Sequence, residues 1–478
     1  MLLLLCVVAA LRVFLISAAF PLFNNVDEPA HFDLVLKYSH GHVPRGLEPY
    51  GPETGRLMTL YASPEYMLPP ESQRGIAAPP WSLRAELLSK WDAIRAQWSE
   101  AVNYDAAQPP FYYAAAGIWY RFTRAGGGNE GRAIYSIRFL NMAFLVVLIG
   151  AAYVFMRRTY PDRVFLRLGV PAILAFLPQD FFYSISNDVP VPLLFAAAFY
   201  SLLDVIKEDR PSLALCAAAG AFCALTVLDK LSALPVLGVL TAAVILKARK
   251  SAVRPASWAV LVGAAMIPIC GWALRNQIVM GDALGTAEKA RLLGWTPQPL
   301  AAMLRHPIFT PRGAWFFIDE LLKSFWRGEF FWHRRRLWEG APVCERFFTL
   351  SSIAFLGASA WGLRAKKRFG EREADAMSFL AIGLSVLFLV SISISYDFGD
   401  CPYPSRSVPF LFSGRLIAGV MVPFFALYLD GLERLLARWR RPWLAWAALG
   451  AVLVSMCAAQ VSLVGPIFGS AYNWFHLP

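Results

Sequence analysis

The sequence predicts an all-α polytopic membrane protein with about eleven transmembrane helices. Three observations predict it. The chain of 478 residues is 57% apolar and only 16% charged, whereas soluble domains are nearer a quarter charged. Apolar runs of about 20 residues, the length that spans a hydrocarbon core, recur along it. Short basic loops also follow every second run, as expected of cytoplasmic loops. The short alternating segments of a β-barrel are absent.

Taken in order, the expected spans are 2–20, 137–156, 164–179, 189–206, 211–227, 232–247, 255–275, 346–363, 377–396, 414–436 and 442–464. The first run lacks a basic leader and a small-residue cleavage site, so it reads as a retained span rather than a signal peptide. Arg157, Arg158 and Arg163 lie between spans two and three, and Lys207 and Arg210 follow span four. Lys247, Arg249 and Lys250 follow span six, Arg364, Lys366 and Lys367 span eight, and Arg438, Arg440 and Arg441 span ten. The net charge of +12 therefore sets orientation and is not a nucleic-acid signal.

With those loops cytoplasmic, two long segments lie outside, 21–133 and 276–345, within a single domain of residues 1–478. PPFYYAAAGIWYRF (109–122) is apolar but short, and counting it as a span would put RRTYPDR outside. It is expected to lie in or re-enter the outer face. Leu83, Leu87, Trp91, Ile94 and Trp98 recur at helical spacing, which suits a helix lying along the interface or packed on the protein. Five of the seven cysteines fall in apolar runs. Cys344 and Cys401 share a side, but pairing is not the favoured reading.

All six histidines and an adjacent acidic pair then face outward. Asp27 and Glu28 in VDEPAHF follow the first span within a few residues. A carboxylate there can act as general base on a hydroxyl; the plain alternative is capping of the helix after it. His31, a turn later, can orient a carboxylate, bind sugar or simply pack. Asn187 and Asp188 in SISNDVP either cap span four, hold a metal with Asp27, or orient a phosphate. Outer cations need a reason, because basic residues favour the other side. Lys230 in DKLSALP, Arg275 at the end of span seven, and Arg406 and Arg415 around span ten are candidate phosphate ligands. His333 stands in the HRRR run, part of which fits snorkelling to headgroups.

This layout resembles the GT-C superfamily of membrane glycosyltransferases, which includes protein O-mannosyltransferases, aminoarabinose transferases and the oligosaccharyltransferase catalytic subunit. The shared elements are the first-loop acidic pair, QPPFYY (108–113), IRFLNMAF (137–144), the Asn187–Asp188 site, Lys230, LRNQIVMGDALG (274–285) and SGRLIAG (413–419). The DEPAHF wording is similar to a bacterial branch of predicted glycosyltransferases. The resemblance implies a polyprenyl-phosphate-linked sugar as donor and a glycan, lipid or protein acceptor reached from outside the plasma membrane. It implies an inverting displacement with Asp27 as base and Glu28 or His31 orienting it. Tyr112, Tyr113, Trp326 and Trp332 would stack on sugar or form an interfacial belt. Because the second site reads Asn-Asp, Mg²⁺ or Mn²⁺, with Asp27 and Asp188 as ligands, is expected to be optional at most. A rival reading is a membrane protein that binds or flips lipid-linked sugar without catalysis. Another is a metal-dependent outer-face hydrolase or phosphotransferase, for which no HExxH-type signature exists.

Overall fold

The computed structural model describes residues 1–24, 27–65, 78–83, 92–127, 129–250, 254–333, 335–338, 341–364 and 370–478. In chain order the α-helices are α1 (Leu2–Ala19), α2 (Glu28–Ser39), α3 (Pro52–Tyr61), α4 (Asp92–Glu100), α5 (Phe111–Ala125), α6 (Glu130–Thr159), α7 (Val164–Phe176), α8 (Val191–Lys207) and α9 (Leu213–Asp229). They continue as α10 (Pro235–Lys250), α11 (Pro255–Met280), α12 (Ala287–Leu292), α13 (Leu300–Met303), α14 (Pro311–Arg327), α15 (Pro342–Gly362), α16 (Glu371–Ser395), α17 (Met421–Ala437) and α18 (Trp443–Val464). Strand structure among the described residues is limited to two-residue pairs, such as Thr296–Pro297 with Tyr396–Asp397.

Each expected span is a helix, in α1, α6 to α11 and α15 to α18. Among the described residues, 7 helices are long and apolar enough to cross a membrane, and α7 and α9 are shorter apolar ones. α8 is buried along nearly its whole length and runs inside the bundle. The 414–437 span is 89% buried against 17% for α11, so α17 is central and α11 peripheral. Large apolar side chains such as Leu3, Ile267, Ile278 and Val461 point outward, as lipid-facing surface requires.

The boundaries differ from expectation where polar residues extend a helix. α6 starts at Glu130 rather than 137, because Asn129 caps it by accepting the Gly131 N–H at 2.8 Å. α11 runs on to Met280, where Gly281 turns into the left-handed region at φ +70° and closes it. The two long polar segments fold into helices of their own, α2–α5 and α12–α14. The PPFYY stretch forms α5, which packs against α2 and α6. Of the amphipathic 83–98 stripe, Leu87 and Trp91 lie outside the described residues; the rest includes α4, which buries no residue. All seven cysteines are free.

Charges sort to the two ends of the bundle. At the basic-loop end, Arg163 bonds Asp430 at 2.9 Å and also pairs with Glu433, while Lys250 pairs with Glu373 at 3.5 Å. At the other end, a buried ion pair fixes the exit of α1. Arg138, on α6, donates Nε and Nη2 to the two Glu28 carboxylate oxygens at 2.7 and 2.6 Å. Its remaining N–H groups go to the carbonyls of Ser17, Phe20 and Pro21 at 3.1, 2.6 and 2.9 Å. Glu28 also accepts the N–H groups of Phe23 and Ile185, both at 2.9 Å. The two side chains are 1% and 0% exposed. Glu28, expected in the catalytic pair, is therefore a structural anchor with both oxygens committed.

Removing one member of a buried ion pair leaves the other uncompensated, at a cost of about 3–5 kcal/mol. Arg138→Leu should accordingly lower the melting temperature of the detergent-purified protein steeply. An unchanged melting curve would contradict the anchoring role.

Candidate active site

Asp27 is the residue before the first turn of α2, yet its side chain makes no capping bond. One oxygen accepts the Tyr104 hydroxyl at 2.8 Å and the other accepts Arg415 Nη2. Capping is thus excluded as its role. Burial pushes the Asp27 carboxyl up, but Arg415, His31 and Lys289 outweigh burial and hold it below the usual carboxylate range.

Arg415 enters from the short 3-10 segment Gly414–Val420 that leads into α17. Gly414 is required there. A Cβ would stand 2.1 Å from the Phe325 nitrogen, so only glycine lets this segment press onto the end of α14. Besides Asp27, the guanidinium approaches Glu329 at 3.4 Å and Asp188 at 3.8 Å.

Asp188 does not cap α8. It accepts Lys230 Nζ at 2.5 Å and the Ser186 hydroxyl at 3.1 Å. Asn187 accepts Lys230 at 3.3 Å and donates to the Asp229 carbonyl at 3.1 Å, which ties α8 to the end of α9. On the first-loop side, Asp105 accepts Lys289 Nζ at 2.5 Å. Lys289 also lies 5.1 Å from the centroid of the Tyr104 ring. His31 is buried; its Nδ1 is 2.7 Å from the Tyr113 hydroxyl. Burial holds its pKa below the ordinary value, against the pull of Asp105 and Asp27.

Asp27, His31, Asp188, Lys230 and Arg415 thus meet at one end of the bundle, carried by α2, the α7–α8 and α9–α10 connections and the start of the α17 span. The other sequence candidates lie elsewhere. Arg275 donates to the Pro44 carbonyl and to Asn276, and stacks on Trp272; it ties the first loop to α11. Arg406 is mostly exposed and pairs with Asp397 at 3.1 Å. His333 packs edge-on against Trp332. Tyr112, Tyr113 and Trp326 have no exposed surface and Trp332 is 4% exposed, so these rings fill core and offer no face to a sugar.

Five residues of the cluster escaped the sequence reading: Tyr104, Asp105, Lys289, Asp180 and Glu329. Asp180 follows α7 in LPQDFFY, and an acid flanked by apolar residues just past a span is the signal that was there. Its carboxyl accepts the Glu329 N–H at 2.7 Å. Gly328 makes this approach at φ +69°, where a Cβ would lie 2.7 Å from the Pro178 carbonyl oxygen. Asp180 and Glu329 line a cavity of about 30 Å³ with Arg138 and Glu28, room for about one water.

The metal assignment fits poorly. Asp27 and Asp188, the two proposed ligands, already face Arg415 and Lys230, so a dication between them would displace or be repelled by a guanidinium. Among the described residues no group of three or more His, Cys, Asp or Glu is placed to hold a metal ion.

Burial, with Glu329 beside it, pushes the Asp180 carboxyl up to about 6, against Arg415. An unfolded aspartate ionises near 3.9. Between about pH 4 and 6 the folded chain keeps a proton the unfolded chain has lost, so this group makes folding weaker as pH rises, by on the order of 3 kcal/mol in full. Asp180→Asn removes that loss. Its melting temperature relative to the parent should rise across pH 4 to 7; a constant difference would refute the linkage.

No curated protein matches the sequence. The chain is similar in structure to ArnT from Cupriavidus metallidurans bound to undecaprenyl phosphate, with 14% identity and a TM-score of 0.44, over 96% of this chain and 64% of that one. It thus spans just under two thirds of that protein's length. It is also similar to ArnT from the same organism in the apo state, with 13% identity and a TM-score of 0.45, over 99% of this chain and 77% of that one. The family model described as "Predicted membrane protein (DUF2142)" matches residues 11–402, and the chain belongs to that family.

Proposed function

We propose that the protein is a GT-C-type glycosyltransferase of the plasma membrane. It moves a sugar from a polyprenyl-phosphate donor to an acceptor hydroxyl at the extracytoplasmic face. The observation that carries this reading is the state of Asp27, whose carboxylate leaves its helix uncapped and is held between Tyr104 and Arg415, with the Lys230–Asp188 pair beside it. A carboxylate and two cations stand in one cluster, which supports a displacement at an anomeric carbon.

In the proposed reaction the donor phosphate engages Arg415 and Lys230. Arg415 turns from Asp27 toward the phosphate, which frees the base. Asp27 takes the proton of the acceptor hydroxyl as that oxygen bonds to the anomeric carbon. The bond from that carbon to the phosphate oxygen breaks on the opposite side, so the centre inverts. The departing polyprenyl phosphate keeps the electron pair, and its charge rests on the two cations. Tyr104 orients Asp27, and Lys289, held by Asp105, supports the Tyr104 ring through a cation–π contact. In this reading the phosphate ligands are Arg415 and Lys230, and Arg275, Arg406 and Glu28 take no part.

The test uses purified protein with a radiolabelled polyprenyl-phosphate sugar. Asp27→Asn should lose about 10²–10⁴-fold in transfer, the worth of a general base, in protein that still folds, with a lowered melting temperature because the Arg415 ion pair is lost. Lys230→Met should raise the donor KM more than it lowers kcat. Full transfer by a folded Asp27→Asn variant would remove the assignment. Donor binding with no transfer by the parent would favour the non-catalytic alternative.

A further inference from the structure

Arg438 directly follows α17, and the turn into α18 carries Arg440 and Arg441. All three are exposed, and none forms an ion pair among the described residues. The acids of α17 are already taken. Asp430 accepts Arg163 and Arg434, and Glu433 pairs with Arg163. Arg440 holds φ at +53°. That left-handed conformation suits glycine or asparagine after a helix, so arginine is kept here against a backbone cost. Trp439, Trp443 and Trp446 are exposed beside these cations, and tryptophans so placed mark the headgroup level of a bilayer.

A groove of about 340 Å³ opens at the same corner, between α15, α17 and α18. Phe355, Leu432, Leu435 and Val452 line its length, and Arg438 and Trp439 line its basic-loop end. The Arg438 guanidinium lies 4.3 Å from the centroid of the Trp439 ring, so the cation and the groove share one wall. An arginine so placed lays its aliphatic stem along apolar surface and keeps its charged head at the polar level. The groove takes a hydrocarbon chain. The guanidinium fork matches phosphate oxygens.

We propose that this corner binds an anionic phospholipid of the leaflet on the basic-loop side. One acyl chain lies in the groove between α15, α17 and α18. The phosphate accepts from Arg438, and Arg440 and Arg441 add positive charge around the headgroup. The headgroup must carry net negative charge. The ammonium of a zwitterionic lipid would meet three guanidiniums, with the carboxylates of α17 already paired. The site lies at the other end of the bundle from the Asp27 cluster and stands whether or not the protein transfers sugar.

Native mass spectrometry of the detergent-purified full chain, titrated with phosphatidylglycerol or phosphatidylethanolamine, tests this. An arginine beside an anionic headgroup is worth about fivefold in affinity. The parent should therefore prefer phosphatidylglycerol by about fivefold or more, and Arg438→Gln should weaken phosphatidylglycerol binding by about fivefold. Ala448 also lines the groove, so Ala448→Leu narrows it with all three arginines in place and should weaken phosphatidylglycerol binding several-fold. Arg157→Gln removes an exposed arginine from the same end of the bundle, on α6, and should leave binding unchanged. No preference in the parent, or a preference that survives Arg438→Gln, would overturn the proposal. So would an equal loss in Arg157→Gln, which would mark a response to net charge alone. Binding that survives Ala448→Leu would mark capture of the headgroup without the groove and would overturn it as well.

Discussion

The bond between Arg138 and Glu28 is the constraint from which the rest of this end of the molecule follows. Two charges buried at the head of an apolar bundle are tolerable only if every donor and acceptor is used, and here they are. Arg138 ties α6 to the last carbonyls of α1 and to the first residue of α2 at once. The chain therefore leaves α1 in one direction only. Successive residues at the start of a helix point about 100° apart. With Glu28 turned into the bundle, Asp27 is turned out of it, toward Arg415. The acidic pair thus divides: Glu28 is spent on position, and Asp27 faces Arg415 in the candidate site.

The spans were legible because hydrocarbon imposes a length and composition that few other environments demand. α1, α6 and α16 can be read directly from their apolar runs. The ends of helices were less legible, since Asn129 extends α6 through a cap whose signal is one side chain. In the candidate site, Asp27, Asp188, Lys230 and Arg415 could be picked out because each is a charge at the end of a span away from the basic loops. Glu28 could not be told from Asp27, because the difference lies in a partner 110 residues away. Arg275 and Arg406 looked like Arg415 for the same reason. Their partners, a carbonyl in the first loop and Asp397, emerge only when the loops fold. Tyr104, Asp105 and Lys289 were missed because the pairing of 105 with 289 joins two long segments far apart in the chain, and no periodic pattern marks either residue.

The two ends of the bundle solve the same electrostatic problem differently. At the basic-loop end, Asp430 on α17 accepts from Arg163, Ser359 and Arg434, so one buried acid gathers three donors and locks α7, α15 and α17 together. At the candidate site the ratio is reversed. Among the described residues, Arg415 is a guanidinium shared by Asp27, Asp188 and Glu329. The first arrangement is satisfied and rigid. In the second, one guanidinium faces three carboxylates and hydrogen-bonds Asp27 among the described residues, with Lys230 and Lys289 each drawn to a carboxylate of its own.

That imbalance bears on why the central cation is arginine. A lysine would present one point charge and would have to choose a single carboxylate. The planar fork of arginine keeps separate nitrogens toward Asp27, Glu329 and Asp188, so it can release one while holding the others. A phosphate arriving at such a centre competes for the guanidinium with carboxylates that already share it, and the exchange leaves Arg415 anchored. Under the proposed reaction, the same exchange raises the basicity of Asp27 as the donor binds, because the cation that depresses its pKa has turned to the phosphate. Base strength and donor occupancy are then coupled through one side chain, and that side chain is positioned by Gly414, where the backbone packs too closely for any Cβ.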